Sequence, residues 1–314
     1  TLGCFITFLG KPPTPQVMIQ AFGEIKPRLI LSVPLVIEKI YKKRLLPVIS
    51  KPAIKFLLKV PGVNKLLYKK IKGQLVETFG GNFHEVVIGG AAFNKEAETF
   101  FKKIKFPFSI GYGMTECGPL ISYTNWEKTR LRSAGQVVDT LEVKIDSKDP
   151  YNEVGEIMVK GENVMLGYYK NEEATKAVLD DDGWLHTGDL GVIDKENFIY
   201  IRGRSKDMLL GPSGQNIYPE EIEARINNML YVQESVVIQE DYKLIALVHP
   251  DYEAMKLDGI NEEDLKSIFR EHKNQLNDIV AAYMNVSEFK LHEEEFVKTP
   301  KKSIKRYLYT KKED

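Results

Sequence analysis

The chain has few cysteines and no long apolar run. Its 314 residues include two cysteines, Cys4 and Cys117, which are far apart and lack the spacing of metal ligands. This usage fits a reducing compartment and excludes a disulfide framework. No window approaches the ~18 consecutive apolar residues that a membrane-spanning helix requires. The opening TLGCFITFLG has no basic leader, so we interpret it as an interior strand of a longer protein and not as a signal peptide.

An excess of charge of one sign is also missing. The chain has 44 basic and 44 acidic residues, so its composition gives no reason to expect a nucleic acid or a strongly acidic partner. Hydrophobic residues make up 43% of the chain, which is enough for two buried cores. We therefore expect a globular, cytoplasmic protein of two domains, or of one large domain and a smaller one.

Acidic residues are absent from one stretch, residues 39–72, which contains eleven Lys or Arg. Its apolar residues recur at spacings typical of amphipathic helices. Lysine stems on such helices usually form a solvated face above a core. The alternative is peripheral contact of residues 39–72 with anionic lipid, at the inner face of a membrane.

The order of patterns predicts three regions. Residues 1–128 alternate strands and helices, including a helix over 95–103, as in an α/β layer. Residues 129–205 contain short alternating strands, for which we expect a small, distorted antiparallel barrel. Residues 206–314 begin again as a compact α+β unit, with a helix starting at Pro219 and strands QESVVIQ, LIALVHP and NVSEFKL.

One motif lies in DDGWLHTGDLGVIDKENFIYIRGRSKD, which combines a glycine-containing loop, a predicted hairpin and a basic turn. The Asp189 carboxylate can accept two hydrogen bonds, as from neighbouring ribose hydroxyls. The hairpin Gly191–Arg202 would return Arg204 to the neighbourhood of Asp189. A carboxylate and a guanidinium facing one pocket suit a nucleotide. Taken alone, the pair is more often a surface ion pair that only caps a hairpin, since most such pairs contribute little.

A second motif, GYGMTECGPL, follows the apolar PFSI. Within five residues it offers an aromatic ring for a base, a hydroxyl for a phosphate and a carboxylate for a divalent cation. Upstream, FHEVVIGGAAF reads as a buried strand ending in small residues, which would allow close approach to the backbone. That feature is weak by itself, because a tightly packed turn explains it equally well.

Together these motifs resemble the adenylate-forming superfamily, and SVPLVIEKIYKK and GPSGQNIYPEEIE resemble its long-chain acyl-CoA synthetase branch. The resemblance implies an α/β body, a β-barrel subdomain, a mobile carboxy-terminal domain, and ATP or AMP, Mg²⁺ and coenzyme A as ligands. It also assigns residues. Gly89, Gly90 and Ala91 would line the adenine and acyl pocket, Gly111, Tyr112 and Gly113 the adenine, Thr115 the α-phosphate, Glu116 Mg²⁺, Asp189 and Arg204 the ribose, and Lys206 the hinge.

Two departures from the family pattern concern charge on the phosphates. In the tail FVKTPKKSIKRYLY, Ser303 stands where the family has a catalytic lysine, so Lys302 is the candidate for that role. A serine has no charge to offset a pentavalent phosphate. In addition, the chain contains no Ser/Thr/Gly-rich loop ending in Lys that would cradle the β- and γ-phosphates. We therefore interpret it as the carboxy-terminal part of a longer ligase, and whether it is active alone stays open.

Three functions are compatible with these features. The first is ATP-dependent activation of a long-chain fatty acid to acyl-AMP and then to acyl-CoA. The second is a non-catalytic remnant that binds a nucleotide or an acyl adenylate, which the missing phosphate loop and Ser303 favour. The third is an acyl adenylase that loads a carrier protein.

Overall fold

The computed structural model describes residues 3, 5–8, 10, 15–299 and 303–310. The chain divides into two compact units, Thr1–Val138 and Asp139–Asp314. The predicted boundaries at residues 128 and 205 stay predictions, because a division into two parts does not test a division into three.

The first unit is an α/β layer, and a helical stretch that includes a π-helical turn at Tyr41–Leu45 lies between its first two strands. Its elements are α1 (Pro15–Ile25), β1 (Leu29–Ser32), α2 (Pro34–Ile40), α3 (Leu46–Ile49), α4 (Pro52–Leu57), α5 (Val63–Thr78), β2 (Glu85–Gly89), α6 (Lys95–Lys103), β3 (Phe108–Gly113), β4 (Leu120–Tyr123) and β5 (Gln136–Val137).

Five strands form one sheet in the order β1–β2–β3–β4–β5. The pairs β1–β2 and β2–β3 are parallel, whereas β3–β4 and β4–β5 are antiparallel. Because β2 and β3 are parallel neighbours, their carboxyl ends lie at the same edge, with Gly89 opposite Gly111. Ligands of open α/β sheets bind at that edge. The sheet therefore brings the two glycine-containing motifs of this unit together.

The helices of the first unit begin where their sequences dictate. Pro34 occupies the first turn of α2, where its missing N–H costs nothing. The Asn94 side chain caps α6 by accepting hydrogen bonds from the N–H groups of Glu96 and Ala97, both at 3.0 Å. The Asn94 N–H in turn donates to Glu38 Oε1 at 2.8 Å, which ties α6 to α2. Burial raises the pKa of Glu38.

An aromatic cluster fills the core between the helices and the sheet. Phe79, Phe101, Phe106 and Phe108 are fully buried. The rings of Phe101 and Phe106 lie 5.2 Å apart between centroids, within the range of favourable aromatic pairs. This core holds α6 against β3.

The second unit begins with a four-stranded antiparallel sheet and continues as an α+β layer. Its elements are β6 (Leu141–Asp146), β7 (Gly155–Gly161), α7 (Glu172–Lys176), β8 (Leu185–Ile193), β9 (Ile199–Arg204), β10 (Leu209–Leu210), β11 (Asn216–Ile217), α8 (Pro219–Ile226), β12 (Val232–Glu240), β13 (Lys243–Pro250), α9 (Tyr252–Asp258), α10 (Glu262–Asn277) and β14 (Val286–Leu291).

The sheet order β6–β7–β8–β9 is what the structure shows of the predicted barrel region. Further on, β12, β13 and β14 form a second sheet, with β12–β13 antiparallel and β13–β14 parallel. Its core includes Ile222, Ile226 and Leu276 from α8 and α10. A capping box starts α10, since Asn261 and Asp264 each bind the other's backbone N–H. We refer to the described residues from 208 to 310 as the carboxy-terminal lobe.

One predicted element is wrong where it is described. The sequence CFITFL predicts a strand, but residues 5–8 have no regular structure, and Phe5 and Phe8 are exposed. A strand needs a hydrogen-bonded neighbour, and among the described residues the first strand of the sheet is β1. Positions 4 and 9 of this motif lie outside the described residues.

None of the helices in the described ranges has the length and apolar character needed to cross a bilayer.

The aromatic core of the first unit generates a stability prediction. Phe101→Ala removes a fully buried ring and should lower the free energy of unfolding by about 3–5 kcal/mol. The matched control is Phe56→Ala at a side chain that is 69% exposed, where we expect a change of less than about 0.5 kcal/mol. Urea unfolding followed by Trp126 fluorescence, in a Trp184→Phe background, reports on this unit alone. Equal effects of the two substitutions would contradict the prediction.

Candidate functional site

Small residues open the backbone at the edge where β2 and β3 end. A Cβ on Gly89 would lie 3.2 Å from the carbonyl oxygen of Gly111, so glycine permits this close strand pairing. Gly90 has φ +90°, a conformation that favours glycine. Gly90 and Ala91 are exposed, so their backbone is accessible to a ligand.

The second motif forms the end of β3 and a tight turn at Thr115–Cys117. A Cβ on Gly113 would lie 2.0 Å from the carbonyl oxygen of Pro119, so the turn requires glycine there. Within this motif Tyr112 is buried, Glu116 is half-buried and Thr115 is exposed. The structure therefore gathers these three predicted ligand residues in one strand end and one turn.

Cys117, in the same turn, is buried and forms no disulfide. Burial, with a smaller contribution from Glu116, raises the pKa of its thiol to about 11. The thiol is therefore protonated at neutral pH and is not a nucleophile, because the thiolate is the reactive form.

A buried carboxylate at the opposite end of β2 joins neighbouring elements of the sheet. Glu85, at the start of β2, accepts a hydrogen bond from the Tyr123 hydroxyl at 2.5 Å and another from the Trp126 N–H at 2.8 Å. Burial and the hydrogen bond to Glu85 raise the pKa of Tyr123 to about 12. These contacts tie β2 to β4 and to the segment that follows it.

In the second unit, Asp189 and Arg204 are direct partners in the β8–β9 register. Arg204 Nε lies 3.0 Å from Asp189 Oδ1, and the two side chains are 54% and 9% exposed. The carboxylate is thus sheltered, while much of the guanidinium faces solvent. The predicted hairpin and the predicted proximity of the two residues are both confirmed.

The segment Leu185–Asp189, predicted as part of a loop, belongs to strand β8, and hydrogen bonds fix it on both sides. The Thr187 hydroxyl donates to the Ile157 carbonyl at 2.7 Å and accepts from the Asp189 N–H at 3.1 Å. Glu156 Oε1 accepts from the Gly188 N–H at 2.9 Å. The carbonyl of the same residue, Gly188, accepts a hydrogen bond from the Ser205 hydroxyl at 3.1 Å. Gly188 has φ +70°, so the turn itself favours glycine.

Lys206 lies in the turn Ser205–Asp207, directly after β9, and its side chain is exposed. This turn joins the hairpin to the carboxy-terminal lobe. The loop GPSGQN joins β10 and β11 in a short hairpin, with exposed residues at 212–216.

In the carboxy-terminal tail, the described residues 298–299 pair with residues 303–304. Lys298 pairs with Ile304 in a β-bridge, and the Thr299 N–H donates to the Ser303 carbonyl at 2.8 Å. Lys298 Nζ also lies 2.7 Å from Glu234 Oε2. Ser303 is exposed. Lys302, the candidate for the tail's cation, lies outside the described residues.

Residues 1–169, which are 169 of the 314, match the family model described as AMP-binding enzyme. The chain belongs to this AMP-binding family. It is 42% identical over 133 residues to a long-chain-fatty-acid–CoA ligase of Escherichia coli O6:H1, covering 41% of this chain and 23% of that protein. It is 32% identical over 222 residues to a chloroplastic long-chain-fatty-acid–[acyl-carrier-protein] ligase of Arabidopsis thaliana, covering 65% of this chain and 30% of that protein.

Among solved structures, the fold is similar to that of an anthranilate CoA ligase in complex with anthranoyl-AMP. The TM-score is 0.73 at 20% identity, over 96% of this chain and 52% of that one. Each of these matches spans little more than half of the relative, or less. The predictions of an adenylate-forming fold and of family membership are therefore confirmed.

The residues that support the candidate site and the carboxy-terminal lobe were missed by sequence reasoning. Glu85 had a visible signal, because an acid within an apolar strand run indicates a buried, satisfied carboxylate. Glu156, Ser205, Arg306 and Glu223 had no comparable signal, since each binds a group distant in sequence. That the motifs of the two units bind one adenosine stays a prediction.

The role of Glu156 in fixing the Asp189 loop can be measured. Glu156→Ala leaves the Gly188 N–H without its acceptor and removes the contact with His186 Nδ1 at 2.8 Å. We expect the free energy of unfolding of this unit to fall by about 1–3 kcal/mol. Urea unfolding followed by Trp184 fluorescence, in a Trp126→Phe background, gives the value. Glu153→Ala, at an exposed neighbour, is the control; a loss no larger than that of the control would refute the role.

Proposed function

We propose that the protein to which this chain belongs activates a long-chain fatty acid with ATP, giving an acyl adenylate, and then transfers the acyl group to coenzyme A. The observation that carries the proposal is the Asp189–Arg204 pair, a sheltered carboxylate held beside an exposed guanidinium. The family match and the long-chain-fatty-acid–CoA ligase relative support it.

The chemistry follows from charge. The fatty carboxylate attacks the α-phosphorus of ATP and pyrophosphate leaves; the thiol of coenzyme A then attacks the acyl carbonyl and AMP leaves. We assign Asp189 to the ribose hydroxyls, whose two donors match its two oxygens. Arg204 lies beside them, and Tyr112, Gly111 and Gly113 contact the base. Gly89, Gly90 and Ala91 border the acyl and adenine pocket, and Thr115 binds the α-phosphate.

The residues near Glu116 fit a magnesium ion that binds together with the nucleotide. Mg²⁺ usually binds one or two protein carboxylates together with phosphate oxygens and water. Glu116 supplies one carboxylate, and in the described part of the chain no group of three or more His, Cys, Asp or Glu is arranged to hold a metal. When bound, the ion would offset phosphate charge. Glu116 is the residue that we assign to hold it.

The two steps place different demands on the protein. Adenylation needs positive charge at the phosphates, whereas thioester formation needs an entrance for a thiol. We propose that the carboxy-terminal lobe turns about Lys206, presenting the tail with Lys302 in the first step and the loop GPSGQN in the second. The exposed position of Lys206 between β9 and the lobe supports a pivot there.

Two other functions remain in competition. A ligase that loads a carrier protein is favoured by similarity to the Arabidopsis thaliana acyl-carrier-protein ligase. A non-catalytic nucleotide-binding protein is favoured by the serine at position 303, which is exposed and uncharged. Binding of AMP without ATP–pyrophosphate exchange by the longer protein would select the non-catalytic function. Acyl transfer to a carrier protein but not to coenzyme A would select the other.

The nucleotide assignment is tested by AMP binding. Asp189→Ala removes the carboxylate and leaves Arg204 without its partner, so we expect the Kd for AMP to rise about 10- to 100-fold. Calorimetric titration measures it, and circular dichroism checks that the variant is folded. The control is Asp181→Ala at an exposed residue of the preceding loop, which should bind as the unaltered chain does. Unchanged affinity in Asp189→Ala, or no AMP binding by the unaltered chain, would reject the assignment.

We further propose that this cytoplasmic enzyme contacts the inner face of a membrane through residues 39–72. The proposal centres on residues 51–70, called here the lysine-rich tip, which comprise α4, a turn and the start of α5. The tip has no acidic residue, and none of the α4 residues is buried. Exposed apolar side chains lie among its lysines. They are Phe56, Leu57, Val63 and Leu66.

Anionic lipid fits this tip because it matches both features. A short apolar helix that buries nothing gains stability by inserting at an interface, and lysines near a negative leaflet each add about 1 kcal/mol. Hydrogen bonds from Val60 N–H to the Leu57 carbonyl and from Asn64 N–H to the Val60 carbonyl join the two helices through a tight turn. The apolar and basic side chains therefore belong to one compact feature.

Vesicle binding tests the membrane proposal. The triple variant Lys55→Gln/Lys59→Gln/Lys65→Gln should bind phosphatidylcholine–phosphatidylserine vesicles on the order of 100-fold more weakly, measured by co-sedimentation. The control, Lys195→Gln/Lys256→Gln/Lys266→Gln, makes the same charge change at exposed lysines of the other unit and should bind normally. Equal binding to pure phosphatidylcholine, equal loss in both variants, or self-association through the tip without vesicle binding would each reject the proposal.

A further inference from the structure

A single guanidinium joins four elements of the second unit. Arg306 Nη1 and Nη2 donate to the two oxygens of Glu223 on α8 at 2.7 and 2.8 Å. Nη1 also donates to the Val237 carbonyl on β12 at 2.9 Å. On its other side, Arg306 Nε lies 3.9 Å from Asp207 Oδ1. The tail, α8, β12 and the turn after β9 therefore meet at this side chain.

A second carboxyl lies beside this cluster with no cation of its own. Glu220, in the first turn of α8, is half-buried, and its Oε2 is inaccessible to solvent and has no hydrogen-bond partner among the described residues. It faces β9, where a Cβ on Gly203 would lie 3.0 Å from that oxygen. The absence of a side chain at Gly203 thus lets β9 close directly over the carboxyl.

The groups around Glu220 disfavour its charge. Glu223 from the same helix and Asp207 from the turn are negative, whereas Arg306 from the tail is positive and already engaged by Glu223. The Tyr218 ring also lies beside Gly203, with Cδ1 3.4 Å from where a Cβ would stand, and burial raises the pKa of the Tyr218 hydroxyl. Burial first, and then Glu223, raise the pKa of Glu220 to about 7, against the opposing effect of Arg306.

We propose that Arg306 is a positioning residue that latches the turn Ser205–Asp207 onto the carboxy-terminal lobe, and that ionisation of Glu220 releases the contact between β9 and α8. This inference rests on the proposed function only in treating Lys206, in the middle of that turn, as the pivot. The latch itself consists of contacts within one unit. A neutral carboxyl tolerates the closed contact, and a carboxylate there requires water that β9 excludes.

The direction of the pH effect follows from linkage. In the closed state the pKa of Glu220 is about 7, and opening lets it return toward its ordinary value of 4.5. Opening therefore releases a proton in the window between these values and becomes easier as pH rises through it. If opening restores the full shift, the opening equilibrium grows about tenfold from about pH 6 to about pH 8.

Hydrogen–deuterium exchange of the full chain, without nucleotide, measures this opening. Met208 N–H donates to the Arg204 carbonyl at 3.1 Å, so peptides covering 203–210 report on the turn. After correction for intrinsic exchange rates, the unaltered chain should show the tenfold rise. Glu220→Gln should show none, because an amide does not ionise. Glu221→Gln, at the neighbour that lies 3.8 Å from Arg202, should behave as the unaltered chain does.

Arg306→Gln tests the latch itself. Exchange at 203–210 should be faster at both pH values, while Arg306→Lys, which retains a charge without the two-pronged geometry, should lie between. Protection of the paired β12–β13 amides shows whether the lobe is still folded. If Arg306→Gln unfolds the lobe, the Glu220→Gln variant still tests the predicted pH dependence of exchange, because this substitution removes no hydrogen bond of Arg306.

Two outcomes would overturn the proposal. One is a Glu220→Gln variant that keeps the pH-dependent rise, and the other is a folded Arg306→Gln variant with unchanged exchange at 203–210. Failure of the proposed function is seen separately. Asp189→Ala acts on AMP affinity, and the exchange experiment contains no nucleotide, so either result can fail while the other holds.

Discussion

The strand register between β8 and β9 is the constraint on which the candidate site depends. Because side chains alternate along a strand, a slip of one residue would turn Asp189 to the opposite face of the sheet. The register is set at the turn, where the Asp194 side chain accepts from the Phe198 N–H at 3.0 Å. It is set again at Gly191, where a Cβ would lie 2.6 Å from the Tyr200 carbonyl oxygen. That register alone would pair Asp189 with Gly203. An irregularity in the pairing between Leu190 and Gly191 shifts it by one residue, and so places the carboxylate opposite the guanidinium of Arg204.

Elements with local signals were predictable from the sequence. Helix α6 runs over Lys95–Lys103 as predicted, because its cap, its acidic first turn and its basic last turn all lie within ten residues. The β8–β9 hairpin was predictable for the same reason. In contrast, a strand at CFITFL needed a hydrogen-bonded neighbour, and among the described residues the sheet begins at β1, whose own partner β2 lies more than fifty residues later. Apolar alternation states which segments can pair, but does not state which ones do.

The ligand-type residues of the site could be recognised, whereas their supports could not. Asp189 and Arg204 stand in motifs whose spacing identifies them. Glu156 supports the same loop from β7, thirty-two residues before Gly188, by binding a backbone N–H that every non-proline residue possesses. Because nearly every residue has this donor, the sequence does not indicate which backbone N–H a distant carboxylate will bind. The same reasoning applies to Ser205, which binds the Gly188 carbonyl.

The second unit contains two clusters of acidic side chains with an arginine, and they differ in the number of acids for each arginine. Asp189 has Arg204 directly opposite on the next strand, and the loop around it is fixed by backbone hydrogen bonds. Arg306 is shared between Glu223 and Asp207, with Glu220 close by and short of a partner. The position of Glu220 in the first turn of α8 favours its ionised form through the helix dipole, yet burial outweighs this and raises its pKa to about 7. A one-to-one pair has a single favourable geometry, which suits a ligand site. A cation outnumbered by acids, one of them with a pKa of about 7, changes its charge balance near neutral pH, which suits a contact that opens and closes.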